Sequence, residues 1–375
     1  MDQRFDDLRP YYDSEIPAAI ERVADSPYLP AISSFLFPQK PVEEVRQALL
    51  ESKNILDFQR NIMLPSIRSI VDKTSSGLTY GGFEKLNDGK NRMFVSNHRD
   101  ILLDAAILQV LLFENGLDTS EITFGSNLMK GDLVVDIGKM NKMFRIMRGG
   151  TVKEFYKNST EVSSYMRYAI LQKKQSVWIA QRNGRTKDGA DKTDMAVLKM
   201  FALSSDKTFF ENLKELNITP LVISYEYEPC DFLKTQELFI SRYQKYEKEP
   251  GEDLNSILHG IKQFKGHIHF VATDTITEEE LQYCDKFDRN MKFQKLAQII
   301  DRHIYENYKL WPTNYIAHDM LHQSYRWREH YTEEQQHAFI DYMNEGLGKL
   351  IGEESELRDI FLSIYANPVQ IKTNN

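Results

Sequence analysis

With 375 residues, 41% of them apolar and 11% aromatic, the chain has the hydrophobic mass for a large folded core and lies far from the composition of disordered proteins. A formal charge of -8 argues against a general grip on nucleic acid, which needs clustered excess Lys and Arg, so any phosphate site has to be local. The two cysteines, Cys230 and Cys284, lie far apart without metal-ligand spacing; neither a disulfide framework nor a zinc site is expected, and a reducing cytoplasm fits.

The first residues hold no apolar run of the kind a signal peptide needs, so export is not expected. Up to about residue 74 the chain reads as helical. Within 42–71, Val45, Leu49, Ile55, Ile62, Ile67 and Ile70 recur at helical spacing, and Pro65 predicts a kink or a division. Gly77, Gly81 and Gly82 then punctuate the chain. From about 91 to 275, short apolar segments alternate with helical ones: strands are predicted at 92–96, 121–125, 176–180, 220–225 and 267–273, with crossover helices at 101–114, 152–174 and 193–216. Beyond 277 the pattern is helical again. The predicted fold is therefore α/β, a central mixed or mostly parallel sheet flanked by helices, with a helical N-terminal extension (1–80), a core (81–280) and a helical C-terminal extension (281–375). The longest nearly apolar run, 101–113, is broken by Asp104 and Gln109 and falls short of the roughly 20 residues that span a bilayer. Any membrane contact is expected to be peripheral, on the inner face of the cytoplasmic membrane.

The predicted strand at 92–96 runs into Asn97 and His98 and then directly into an almost wholly apolar helix. His98 is thereby placed at a strand's carboxyl end, where open α/β sheets put their ligand chemistry. Asp104 lies on the first turns of a helix destined for the core, and an unpaired buried carboxylate costs roughly several kcal/mol, so it requires a partner. His98 is the nearest in sequence. A His oriented by a carboxylate is a general base; the alternative is that His98 and Asp100 only cap the helix, with Asp100 as N-cap before Ile101. The letters His98-Arg99-Asp100 also begin the protein-kinase catalytic loop, but that motif needs Asn five residues after the Asp, and position 105 is Ala.

The segment Val95-Ser96-Asn97-His98-Arg99-Asp100-Ile101-Leu102-Leu103-Asp104 resembles the first block of the glycerolipid acyltransferase family, which includes glycerol-3-phosphate and lysophosphatidic acid acyltransferases. That block has Asn or Ser before a catalytic His, then four residues, then Asp. Here five residues separate His98 from Asp104, and one added residue turns a helical side chain by about 100°. The resemblance therefore implies a catalytic pair of His98 and Asp104, provided that the loop compensates, with Asp100 as the alternative.

Two further segments extend the resemblance. The strand end Phe124-Gly125-Ser126-Asn127 is followed about twenty residues later by Phe144-Arg145-Ile146-Met147-Arg148 before Gly149-Gly150, similar to the family's second block with its closing Arg. Arg148 is the match to that Arg; read from the residues alone it is either a bidentate phosphate or carboxylate ligand or a surface arginine before a turn. Gly125, Ser126 and Asn127, with Asn97, are the remaining candidates for an active-site loop. The loop after the third strand, Gln181-Arg182-Asn183-Gly184-Arg185-Thr186-Lys187, sets three cations within six residues beside a glycine, which is either a local anion site or a solvated basic turn. It resembles the family's third block, Phe-Pro/Val-Glu-Gly-Thr/Gly-Arg-Ser, which implies substrate binding by Arg182, Asn183, Gly184, Arg185 and Thr186. Asn183 replaces the family's Glu, leaving the loop more positive and favouring a more anionic partner, such as a donor bound to a carrier protein. The segment 218–223, with Pro220 near its start, is similar to the fourth block.

The resemblance implies transfer of a fatty acyl group from a thioester, acyl-CoA or acyl-carrier protein, to a hydroxyl of a glycerol-phosphate-like acceptor in phospholipid or related lipid synthesis. No cofactor beyond the thioester substrate is expected, no metal and no nucleic-acid partner. The alternative is a non-catalytic lipid-binding or scaffold protein that keeps the fold; a serine hydrolase is disfavoured because no Gly-x-Ser-x-Gly elbow occurs. His267 and His269, on one face of a predicted strand, and His318 and His322, four apart on a predicted helix, have no evident third ligand and are not assigned to a metal.

Overall fold

Strands buried on both faces read as continuous apolar runs, and the central strands of this protein do so. The computed structural model describes residues 3–128, 131–147 and 151–374. Its strands are β1 (Gly77–Gly81), β2 (Met93–Ser96), β3 (Glu121–Gly125), β4 (Met143–Ile146), β5 (Val177–Ala180), β6 (Thr219–Tyr225) and β7 (His267–Ala272). They form one sheet in the order β1-β7-β6-β2-β5-β3-β4. Every pairing is parallel except β6 with β7, so the sheet is mixed and mostly parallel, the α/β arrangement that the segment pattern predicts.

Side chains alternate between the two faces. Met93, Val95, Val177, Ile179 and Val222 pack on one side against the helices Val152–Leu171, Met195–Ala202 and Met291–Asn307. Phe94, Trp178, Leu221 and Ile223 pack on the other against Leu64–Thr74 and Leu103–Glu114. The helix Leu103–Glu114 is apolar almost all round because nine of its twelve residues are buried. The helices Pro312–Leu321, Glu333–Leu347 and Glu354–Asn374 build a separate apolar cluster with Phe232 and Phe239. Near the N-terminus, helices Ile16–Ala24 and Val42–Glu51 pack with Met140 beyond the β4 edge.

Several features differ from the sequence expectation, which contained no helix at Asp132–Met140, Asp231–Tyr243 or Glu252–Lys262. The edge strands β1 and β4 were not among the predicted strands: each pairs with a single neighbour and is only partly buried, so neither carries the continuous apolar run of a central strand. The predicted helix 193–216 is two helices, Met195–Ala202 and Phe209–Lys214, because Thr208 opens the second with a capping box to Glu211. The N-terminal stretch divides at Asn54, whose side chain accepts from the amide of Asp57, and Pro65 instead follows a π-helical turn, Gln59–Met63, which absorbs the missing proline N–H.

The C-terminal helix Glu354–Asn374 touches the loop that leaves β5. Asn367 donates to the Asp188 carbonyl at 2.7 Å, and Gly189, at φ +77°, sits where a Cβ would fall 2.0 Å from the carbonyl oxygen of Ile364. Gly189→Ala is expected to lower stability by at least about 2 kcal/mol in urea unfolding, combining left-handed strain with a backbone clash. Gly89→Ala, at φ +74° with no atom within 4 Å of the new Cβ, should lose only about 1 kcal/mol.

Candidate active site

β2 ends at Ser96, and the next residue takes over its pairing. Asn97, fully buried, accepts from the Ile223 amide at 2.9 Å and donates to the Ile223 carbonyl at 2.9 Å and to Asp191 Oδ2 at 3.0 Å. His98 therefore leaves the sheet from a fixed point. Its Nδ1 lies 2.8 Å from Asp104 Oδ2, its ring stands edge-on to Trp178 at 5.5 Å, and its side chain is 13% exposed.

Asp104 is buried with no Lys or Arg among the described residues against it, so hydrogen bonds carry its charge. Oδ2 accepts from His98 and from the amides of Arg99 at 2.5 Å and Asp100 at 2.9 Å, while Oδ1 accepts from the Tyr225 hydroxyl at 2.7 Å. Burial and the charge of Asp104 hold the Tyr225 phenol well above its ordinary value, which keeps it a donor. The helix begins only at Leu103, so residues 99–102 form a turn that absorbs the additional residue between His98 and Asp104. Asp100 does not reach the imidazole. Its Oδ1 accepts from the amides of Leu102 and Leu103 at 2.9 and 2.7 Å, while its Oδ2 is buried without a hydrogen-bond partner, beside Gly260, where a Cβ would fall 2.2 Å away. Burial first, and then the charge of Asp104, raise the Asp100 carboxyl against the pull of the Leu103 amide and of Arg185.

His98 forms part of the wall of a cavity of about 510 Å³ at the carboxyl ends of β2, β3, β4 and β5. That volume is in the range of about 300–1,000 Å³ usual for ligand sites. Ile101, Leu102, Phe124, Ile146, Val162 and Met200 make most of its surface apolar, and Arg182, Asn183, Gly184, Arg185, Gly125 and Asn127 reach it as well. Asn127 Nδ2 donates to Asp253 Oδ2 at 2.8 Å, and Arg185 Nη1 is buried without a hydrogen-bond partner among the described residues.

Other candidates lie elsewhere. Thr186 is buried behind the wall, its amide donating to the His98 carbonyl at 2.8 Å and its hydroxyl to Asp191 Oδ1 at 2.6 Å. Ser126 donates its amide to the Ile146 carbonyl at 2.9 Å and is not a wall residue. Lys187, third of the loop's cations, turns to Glu237. Arg148 falls outside the described residues. Among the described residues no group of three His, Cys, Asp or Glu is placed to hold a metal; His267 Nδ1 meets Glu226 Oε2 at 2.7 Å and His269 Nδ1 meets Thr79 Oγ1 at 2.7 Å. No helix among them is long and apolar enough to cross a membrane.

Sequence reasoning missed what holds the loop from behind. Arg99 is buried, with Nη2 2.6 Å from Asp191 Oδ2 and Nη1 3.3 Å from Glu228 Oε2; Lys234 Nζ donates to Glu228 Oε1 at 2.6 Å and to the Arg99 carbonyl at 2.8 Å. The signal was available: an arginine in a segment bound for the interior requires carboxylates as surely as Asp104 requires donors.

No protein-family model matches the sequence, and no curated protein matches it. Among solved structures, the crystal structure of the 1-acyl-sn-glycerophosphate (LPA) acyltransferase, PlsC, from Thermotoga maritima is similar, at 12% identity over 79% of this chain and 97% of that chain, with a TM-score of 0.36. A score this low leaves the site to be judged on its own geometry.

Removing one member of a buried ion network strands the others. Arg99→Met is expected to destabilise the protein by about 3–5 kcal/mol in urea unfolding, leaving Asp191 without its cation. A loss below about 1 kcal/mol would show that this network does not hold the loop.

Proposed function

We propose that the protein is an O-acyltransferase that moves a fatty acyl group from a thioester to a hydroxyl of a phosphate-bearing acceptor. The observation that carries this reading is His98, 13% exposed on the wall of a largely apolar cavity, with its Nδ1 2.8 Å from the buried carboxylate of Asp104. With Nδ1 committed to Asp104, Nε2 is the nitrogen left for a substrate. In the proposed reaction Nε2 takes the acceptor hydroxyl's proton as the oxygen attacks the thioester carbonyl. The tetrahedral intermediate then expels the thiolate, and the proton on the imidazolium passes to sulfur, giving ester and free thiol. Asp104 keeps the imidazole in one tautomer and stabilises its cation. The apolar wall suits an acyl chain, and Arg182 and Arg185 suit a phosphate of acceptor or donor. The motif around His98 and the loop 181–187, read as sequence, support the same chemistry.

Incubation of the purified protein with a long-chain acyl-CoA or acyl-carrier protein and glycerol 3-phosphate or its 1-acyl ester tests the proposal. Ester and thiol should appear in equal amounts. Thiol release without any acceptor would indicate a hydrolase, and no consumption of any thioester would favour a non-catalytic lipid-binding protein.

His98→Ala should lower turnover by roughly 10²–10⁴-fold with the fold retained, the usual contribution of a positioned base. Asp104→Asn should be nearly as damaging, whereas Asp100→Asn, which keeps an acceptor for the Leu102 and Leu103 amides, should change turnover only a few-fold; the opposite ranking would move the orienting role to Asp100. Arg185→Ala should mainly raise KM for the phosphate-bearing substrate, since that contact exists before the reaction begins. An equal loss with a phosphate-free acceptor would contradict that assignment.

A further inference from the structure

The first two turns of the helix Val152–Leu171 extend beyond the core. Val152, Phe155 and Tyr156 fall at i, i+3 and i+4, on one face, and are 88%, 56% and 61% exposed. Farther along, the helix buries Val162, Tyr165, Met166, Ala169 and Ile170, so its apolar character continues outward past the material that covers it. Phe155 and Tyr156 also form part of the wall of the cavity that holds His98, as does Met147, 42% exposed. Stripe and cavity are thus one apolar surface, open to the outside. Lys153 and Lys157 are exposed along one side of this stripe, while Glu154 is turned back onto Thr151 in a capping box.

We propose that this stripe is a membrane-docking lip. Val152, Phe155, Tyr156 and Met147 enter the headgroup region of an anionic bilayer, Lys153 and Lys157 meet its phosphates, and the cavity mouth opens onto lipid. A membrane-dissolved acyl chain then passes between the bilayer and the His98 cavity without crossing water. The passage of a substrate rests on the acyltransferase reading; the docking does not. A bilayer fits better than an acidic carrier protein, because large apolar side chains dominate and the lysines flank them, as on interfacial amphipathic helices. The positive charge is local to a chain of net charge -8, so anionic lipid is the complement.

Co-sedimentation of the full chain with vesicles tests the inference. The protein should bind vesicles of phosphatidylcholine and phosphatidylglycerol in equal parts and bind pure phosphatidylcholine more weakly. Lys153→Glu with Lys157→Glu should lower partition onto the anionic vesicles by at least roughly 30-fold, as expected for two interfacial lysines. Val152→Asp should lower it as well, circular dichroism remaining that of the wild type. None of these three residues lines the cavity, so transfer between water-soluble short-chain substrates should persist in these variants. Unchanged vesicle binding in both variants would overturn the inference, as would a wild type that ignores vesicles but binds an acyl-carrier protein through the same residues. Vesicle binding lost in the variants of a protein that consumes no thioester would uphold the docking lip while removing the acyltransferase reading.

Discussion

The buried carboxylate of Asp104 is the constraint on which the site depends. No Lys or Arg among the described residues neutralises it, and four donors converge on it instead: the imidazole, two consecutive backbone amides and the Tyr225 hydroxyl. Satisfying one carboxylate therefore fixes the path of residues 98–100, the imidazole of His98 and the end of β6 together. The turn at 99–102 follows from the same demand, since the amides of Arg99 and Asp100 must point back at the helix they precede. Asp100, carried on that turn, spends one oxygen on the helix's first free amides and has the other pressed against Gly260.

Behind this loop lies a set of buried ion pairs. Arg99 joins Asp191 in the loop after β5 to Glu228 beyond β6, and Lys234 closes the set. Asp191 also receives Asn97 and Thr186, so the strand end and the basic loop share one anchor, and Arg99 links it to the loop after β6. The Tyr305 hydroxyl donates to the Asp191 carbonyl, which ties in the helix Met291–Asn307. Such a network adds less to stability than apolar packing of the same volume, but once present it cannot lose a member cheaply. Its effect is geometric: Arg182 and Arg185 reach the cavity because Thr186 is held inward between them and the core.

Much of this was legible in the sequence, for physical reasons that also mark where reading stopped. Central strands such as Val177–Ala180 announce themselves by apolar runs between turn residues, and a carboxylate in the apolar segment 101–113 announces that it has a partner. The pairing of His98 with Asp104 across five residues needed the turn to be seen, because periodicity alone rotates Asp104 away from where a four-residue spacing would put it. The edge strands were not legible, since a partly buried segment with one neighbour carries no continuous apolar run. Nor was the inward turn of Thr186: its hydroxyl partner, Asp191, is close in sequence, but the partners that fix Asp191, Asn97 and Arg99, lie more than ninety residues earlier. The distant carboxylates of Arg99 show the same limit, because burial predicts that a partner exists without saying which residue it is.

The tautomer of His98 is the property in which fold and proposed chemistry meet. Nitrogen-15 NMR of the neutral imidazole reads it directly. A proton fixed on Nδ1 and a bare, acceptor-type Nε2, with that preference lost in Asp104→Asn, is the result this account requires. A proton on Nε2 in the wild type, or a tautomer indifferent to Asp104→Asn, would leave no oriented base in the cavity and would contradict it.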